Sequence, residues 1–388
     1  MGPLARLLAT ACAFKFLDGF LLIYPLYAVM FVDHGLTPWQ VSVTLIAWST
    51  TAFLLQIPAG LLADRLSRRW LLCGAQVVRG LGFAAWLLFP GFAGFLIGLM
   101  LWGAKSAFTN GVFEALVYDE LREAGRAEDY ARVIGRAQGF GFAAILLASV
   151  SAAYVVRFGY PAALVASLAA ALAAAVAAVA LPRATRTLSL GKADYVGHLR
   201  QGFAYASRHP TIPGVILLLA LSQAFGGGLE GFWPVFGREV GLQTSQVALL
   251  AAAIGAAQGA GAAVAHRFRR APPSAFLVLF AGIGAVLILA AMVFQAWTVA
   301  LVAVLAGLFK LIDINFDARL HDAIPSETRA TLAATRNFAG LLALTVMLLG
   351  FGPLANATAY RTAFLGAGAA MVAIGLALLL ARTVRRPA

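Results

Sequence analysis

Charged residues are scarce in this chain of 388 residues, where Asp, Glu, Lys and Arg together make up 12%. Soluble domains carry about twice that fraction. Hydrophobic residues make up 62%, and the mean hydropathy is +0.87. Because apolar runs of about 20 residues recur along the whole chain, this balance excludes an ordinary soluble domain and predicts a polytopic membrane protein.

Cysteine is also scarce, and this absence limits the possible chemistry. The two cysteines, Cys12 and Cys73, both fall in apolar runs. They supply neither a disulfide framework nor the spacing of a metal site. The sequence shows no metal-ligand cluster, nucleophile elbow or phosphate loop, so we expect neither an enzyme nor a cofactor or metal.

The apolar runs define twelve predicted membrane spans. Lipid offers no partner for unpaired backbone groups, so every span should be an α-helix and the fold class should be an all-α membrane protein. The predicted spans are 8–32, 38–62, 70–89, 92–121, 131–156, 161–181, 212–238, 245–265, 274–294, 297–322, 329–352 and 360–382.

Lys and Arg residues set the predicted orientation. With twelve spans, the side that holds both termini would carry 19 cationic residues, whereas the other would carry Arg157, Arg238 and Arg361. The positive-inside rule then places both termini in the cytoplasm, and for a chain of bacterial type the membrane would be the inner one. This asymmetry, together with attraction to anionic lipid, accounts for the net charge of +13 without any nucleic-acid partner.

Short motifs recur in the same order in the two halves of the chain. "GLTPWQV" at 35–41 matches "GLQTSQV" at 241–247, and "ADRLSRR" at 63–69 matches "AHRFRR" at 265–270. "EALVYD" at 114–119 likewise matches "DARLHD" at 317–322. We therefore expect a six-helix half at 1–182, a linker at 183–211 and a second six-helix half at 212–388.

The linker is predicted to contain a short amphipathic helix on the cytoplasmic membrane surface. Asp194 could cap it, with Val196, Leu199 and Phe203 sharing one face. An unstructured strap is the alternative.

The polar stretch "GLLADRLSRRW" at 60–70 lies between two long apolar runs. It resembles the loop 2–3 signature of the major facilitator superfamily, with Ser67 where the signature has Gly. The resemblance covers the whole chain and implies twelve helices in two pseudo-symmetric halves, a secondary transporter working by alternating access, and a monomer. It says little about the substrate.

In the resembled family, this loop closes the cytoplasmic side against the start of span eleven. Arg side chains could also pair with acids at the end of span four. The alternative is that these Arg residues only set topology and bind lipid headgroups. The residues of this predicted latch are Gly60, Asp64, Arg65, Arg68, Arg69 and Asp119.

Ionisable residues inside spans are costly and therefore functional by default. Two of them in each half stand in comparable positions, which predicts the repeated ion pairs Glu114–Arg136 and Asp317–Arg336. Such pairs are as often structural as functional. Lys105 and Glu114 are nine residues apart, which would place them on opposite faces of one continuous helix.

Five residues nearer mid-membrane are candidates for proton coupling or substrate binding: Lys15, Asp18, Glu230, Lys310 and Asp313. The resemblance implies that spans one, four, seven and ten line a central cavity, and these residues fall on three of those spans. Asp18 could instead pair with Lys15, and Asp313 with Lys310. Glu230 lacks a cation within one turn of its own span and lies in the glycine-rich "GGGLEGFWP", so it is the first candidate for the transported proton.

Aromatic residues on the same spans would suit an amphiphilic, even cationic, solute. The candidates are Tyr24, Tyr27, Trp102, Phe225, Trp233 and Phe309. Span five, "GRAQGFGF", lacks the proline and the glycine pair of the family's drug/proton antiporters.

These features predict a proton-coupled transporter of a small organic solute, with export favoured. The alternatives are a lipid or lysolipid transporter, a proton-coupled importer of a small metabolite, and, more remotely, a membrane receptor that does not transport.

Overall fold

The computed structural model of the protein describes residues 3–182, 195–209, 211–322 and 329–384. Within these ranges the chain forms helices and turns, with no β-strand, as the composition predicts. The α-helices, numbered in chain order, are α1 Pro3–Gly19, α2 Tyr27–Asp33, α3 Pro38–Leu54, α4 Gln56–Arg65, α5 Arg68–Leu88, α6 Phe92–Thr109, α7 Val112–Glu123, α8 Tyr130–Val155, α9 Tyr160–Val179, α10 Tyr195–Arg208, α11 Ile212–Ser222, α12 Gly228–Glu230, α13 Trp233–Glu239, α14 Thr244–Val264, α15 Pro273–Val293, α16 Val299–Asp322, α17 Arg329–Ala357 and α18 Tyr360–Val384.

Ten helical stretches of the described chain are long and apolar enough to cross a membrane. They correspond to the third through twelfth predicted spans. The first two predicted spans are each divided between two shorter helices, α1 with α2 and α3 with α4. The all-helical membrane fold is therefore confirmed, and a total of twelve spans remains our prediction.

Proline accounts for these interruptions. Pro25 lies in the turns between α1 and α2, where its ring excludes a continuous helix. Pro58 cannot donate to the carbonyl four residues earlier, which coincides with the break between α3 and α4. The seventh predicted span is irregular as well: a π-helical turn occupies Gln223–Gly227, and α13 begins at Trp233, followed by Pro234, after a break at 231–232.

The chain divides into two compact units. The first contains Met1–Gly35 and Ala47–Ala193, and the second contains Leu36–Ile46 and Asp194–Ala388. The start of α3 thus belongs to the second unit, whereas the sequence assigned all of 1–182 to the first.

Close helix crossings organise the first unit. A Cβ atom on Gly19 would lie 2.7 Å from the carbonyl oxygen of Gly141, so α1 and α8 almost touch at this point. A Cβ on Gly82 would similarly lie 2.9 Å from the carbonyl oxygen of Gly98, where α5 crosses α6. Small residues permit such backbone approach, which drives helix association in lipid.

The second unit also contains close helix crossings at glycine residues. Gly284 and Gly368 face each other where α15 crosses α18, and Gly261 meets Gly307 where α14 crosses α16. The segment predicted as the linker contains the helix α10, whose position on a membrane surface stays a prediction. This helix packs along α17, with the rings of Phe203 and Phe338 6.1 Å apart between centroids. Asp194, the expected cap, lies outside the described residues.

Candidate functional site

A buried ionic network lies at the end of α1 in the first unit. The Asp18 Oδ1 atom is 2.8 Å from Lys105 Nζ on α6 and 3.1 Å from Arg79 on α5. It also accepts a hydrogen bond of 2.7 Å from the Gln76 side chain. Arg79 is only 2% exposed. One carboxylate oxygen therefore holds two cations and an amide.

The surrounding helices hold this network in place. The close crossing of α1 and α8 at Gly19 fixes the residue next to Asp18. Arg79 and Gln76 lie one turn apart on α5 and are joined by a hydrogen bond of 2.5 Å. Arg79 also donates to the backbone oxygen of Asp18 at 3.0 Å. The helix ends and the side chains thus support each other, and we expect little rotameric freedom here.

Lys15 and Glu114 form a second, looser pair beside the first. Their charged atoms lie 3.6 Å apart, and Glu114 also accepts a hydrogen bond of 3.2 Å from Gln138 on α8. The Lys15 ammonium stands 4.4 Å above the centre of the Phe113 ring. Phe113 is itself stacked on Phe14, which anchors α7 to α1.

These contacts correct three expectations from the sequence. Glu114 pairs with Lys15 rather than Arg136, and Asp18 pairs with Lys105 and Arg79 rather than Lys15. Lys105 and Glu114 do not lie on opposite faces, because the helix is interrupted between α6 and α7. Gly111 adopts a φ of 72° there, which a residue with a side chain rarely does.

The two ionic clusters share one cavity of about 380 Å³ between α1, α6 and α7. This volume lies in the range of small-molecule sites, about 300–1,000 Å³. The cavity is lined by Phe14, Lys15, Asp18, Lys105, Ser106, Thr109, Asn110, Gly111, Phe113 and Glu114. Its wall combines four ionisable groups, uncharged hydrogen-bonding groups and two aromatic rings, which can recognise an amphiphile. We call it the α1–α6–α7 pocket.

The predicted cavity aromatics fall into two sets. In the first unit, the Trp102 ring lies 6.1 Å from the rings of both Tyr24 and Tyr27, and Tyr24 is 38% exposed. These three residues form an aromatic cluster. Its member Trp102 lies on α6, the helix that also carries Lys105.

The aromatics of the second unit pack inside it instead. Trp233 is 1% exposed and stacks on Phe364. Phe225 is buried against Phe280, and the Phe309 ring occupies the space that the missing Cβ of Gly226 leaves. In this structure these three side chains contribute to the core of the second unit rather than to an open wall.

The second unit contains the other predicted ion pair. Arg336 Nη1 lies 2.5 Å from Asp317 Oδ1, and His321 approaches the same carboxylate at 3.8 Å. Within the described residues, no ion pair within 4 Å joins Lys310 to Asp313, but the two charges interact at longer range, so this alternative pair stays a prediction. Glu230 ends α12, directly after the π-helical turn.

Four residues of the predicted latch, Gly60, Arg68, Arg69 and Asp119, lie within the described part of the chain. Arg68 pairs with Asp119 and donates a 2.9 Å hydrogen bond to the Ala115 carbonyl, which ties the start of α5 to α7. The Arg69 guanidinium lies 5.5 Å from the Trp70 ring centre. No described atom would contact a Cβ on Gly60. The side chains of Asp64 and Arg65, and the segment 323–328, lie outside the described residues.

Sequence reasoning did not select Arg79, Lys105, Gln76 or Gln138 as site residues. Arg79 and Lys105 carried a signal, since both are charged residues inside predicted spans. The two glutamines carried none, because an uncharged amide in an apolar run does not reveal its partner.

Comparison with known proteins agrees with this architecture. The sequence matches the Major Facilitator Superfamily over residues 8–343. A search of curated protein sequences finds no match. Among solved structures, the chain resembles the nucleoside transporter NupG with a TM-score of 0.77, at 14% identity and over 100% of both chains.

Two further structures show the same fold. The D-xylose-proton symporter gives a TM-score of 0.69 at 15% identity, over 97% of each chain. A POT family transporter in complex with 5-aminolevulinic acid gives 0.70 at 14% identity, over 97% of this chain and 95% of that one. The fold is thus that of membrane transporters rather than enzymes. The chain belongs to the Major Facilitator Superfamily.

Proposed function

We propose that the protein is a secondary active transporter that moves a small organic amphiphile across the bacterial inner membrane by alternating access, coupled to protons and in the direction of export. The main support for this proposal is the α1–α6–α7 pocket, a cavity of about 380 Å³ among apolar helices that is lined by four ionisable side chains. Charges are expensive in that position and are retained for function. Family membership supports transport, and the excess of Lys and Arg on one side supports cytoplasmic termini.

Proton coupling is assigned to Glu230. It follows a π-helical turn at Gln223–Gly227 and precedes the break before α13. Turns of this kind are frequent at functional sites, because the backbone there departs from regular helix pairing. When the backbone at such a turn rearranges, the environment of a carboxylate beside it can change.

Asp18 is less suited to carrying the proton. Its Oδ1 atom neutralises Lys105 and Arg79, both of which are at most 10% exposed. Protonating Asp18 would leave two buried cations without a counter-charge, which costs several kcal/mol. Asp18 therefore holds the first unit together while the proton binds elsewhere.

The proposal is tested in two steps. Purified protein is first screened by thermal shift against metabolites and drugs, since a ligand that binds the native state raises its melting temperature. Each compound that binds is then followed across liposomes containing the protein, with and without a pH gradient of either sign. We expect at least one compound to move, to accumulate against its own gradient when protons flow, and to be exported for an inward proton gradient. Flux that ignores the pH gradient would contradict coupling, and the absence of flux for every binding compound would contradict transport.

A further inference from the structure

The charges of the four ionisable side chains that line the α1–α6–α7 pocket balance, but Arg79, which binds Asp18 without lining the pocket, gives the network one excess positive charge. Lys15, Arg79 and Lys105 supply three cations, whereas Asp18 and Glu114 supply two carboxylates. Their side chains are at most one third exposed. An unpaired charge in such surroundings is unfavourable, so the site lacks one negative charge.

The pocket also has a hydrogen-bond donor group, the Lys15 ammonium, that lacks an acceptor among the described residues. Asp18 Oδ1 already accepts a hydrogen bond from Gln76 and pairs with Lys105 and Arg79. Glu114 Oε1 already accepts a hydrogen bond from Gln138. The Lys15 ammonium, by contrast, lies 3.6 Å from Glu114, beyond hydrogen-bond distance, and donates to no residue in the described part of the chain. An ammonium has three donors. One oxygen of each carboxylate is therefore engaged, and the ammonium of Lys15 on the pocket wall still has donors to offer.

We propose that the α1–α6–α7 pocket binds the anionic group of the transported solute, a carboxylate or a phosphate, through Lys15. Its oxygens accept from the Lys15 ammonium and from the side-chain amide of Asn110, since the hydroxyls of Ser106 and Thr109 already donate to backbone carbonyls of α6. Phe14 and Phe113 belong to the apolar part of the pocket wall, although each is only 1% exposed. An added anion brings the network to neutrality, whereas an added cation would leave it with two excess positive charges.

This inference deepens the proposed function and rests on it, because it names the substrate class of the same transporter. It also replaces the cationic solute that the aromatic residues suggested, since that solute would face Lys15 and Lys105 together. A phosphate could belong either to a soluble compound or to a lipid headgroup, so the test includes both sources.

The test compares ligands that share one ring and differ in charge. Thermal shift of the purified full-length protein is measured at constant ionic strength with benzoate, phenyl phosphate, neutral benzamide and cationic benzylamine. Short-chain phosphatidylglycerol is a fifth ligand. We expect a dose-dependent rise in melting temperature with benzoate, phenyl phosphate or the lipid, and none with benzamide or benzylamine. A rise with the lipid alone supports the anion site and assigns it to headgroups.

Variants then locate the binding. Lys15→Met should need about tenfold or more ligand for the same shift, the loss expected for one charge-assisted hydrogen bond. Lys15→Arg keeps the charge, and Arg6→Met removes an exposed cation from the same helix, so both should retain the response. If no anion stabilises the wild type, if benzylamine does so equally, or if Lys15→Met responds like the wild type, the inference is wrong.

The outcome remains separable from that of the proposed function. Gradient-driven flux restricted to cationic or neutral compounds would overturn the anion site and leave transport standing. Anion binding that depends on Lys15, without any flux in liposomes, would support the site and overturn the transporter.

Discussion

The Nζ atom of Lys105 on α6 lies 2.8 Å from Oδ1 of Asp18 at the end of α1. This pair joins α1 to α6, and Arg79 adds α5 through the same oxygen. The consecutive helices α5 and α6 thus meet the distant helix α1 at one carboxylate. The arrangement links the stability of the first unit to the charge state of its pocket.

Breaking this network on one side should be more harmful than removing two of its members. Asp18→Asn leaves Lys105 and Arg79 uncompensated, so we expect a loss of roughly 3–5 kcal/mol. Adding Lys105→Met removes one of the two stranded cations and should recover part of that loss. Thermal unfolding of the single and double variants checks this, and a double variant no more stable than Asp18→Asn would show that the charges are not coupled.

The Asp317–Arg336 pair should behave differently. Its side chains are 38% and 37% exposed, so solvent screens the interaction although the atoms lie 2.5 Å apart. We expect a double-mutant cycle with Asp317→Asn and Arg336→Met to give a coupling free energy of about 1 kcal/mol or less. A coupling as large as that of Asp18 and Lys105 would mean that this carboxylate is far less accessible to water than the structure shows.

The contact between Arg68 and Asp119 predicts charge-swap rescue. Arg68→Asp alone should lower the melting temperature, because it places like charges together at the junction of α5 and α7. Combining it with Asp119→Arg should restore much of the loss. The hydrogen bond to the Ala115 carbonyl is not restored, so recovery should stay incomplete. If the double variant is as unstable as Arg68→Asp, the charge pair is not what joins these helices.

Much of the fold was accessible from the sequence because lipid leaves few options. The apolar runs predicted ten helical stretches that are long and apolar enough to cross a membrane, although two of them, the fourth and the seventh predicted spans, contain interruptions. The first two runs predicted continuous spans, but Pro25 and Pro58 coincide with breaks in them. Hydropathy measures how apolar a segment is and does not register where its backbone pairing stops.

The site was less accessible, since ion pairing depends on how helices rotate against each other. Asp317–Arg336 could be predicted because the two residues stand at comparable depths in consecutive spans, in positions that repeat those of Glu114 and Arg136 in the first half. Glu114 was assigned to Arg136 by the same logic, but the break at Gly111 turns α7 so that Glu114 faces Lys15 instead. No pattern within one helix reports a rotation that a neighbouring turn imposes.

The most direct test of the account is the proton dependence of transport by Glu230→Gln. Liposomes containing this variant, the wild type or Glu239→Gln are loaded with a pH-sensitive dye and given a compound that the wild type transports. Glu239 is an exposed carboxylate at the end of α13 in the same segment, so it serves as the matched control. We predict that Glu230→Gln folds and binds the compound but neither moves protons nor accumulates the solute, whereas Glu239→Gln behaves like the wild type. Full pH-driven accumulation by Glu230→Gln would contradict the account and pass the coupling role to Asp313.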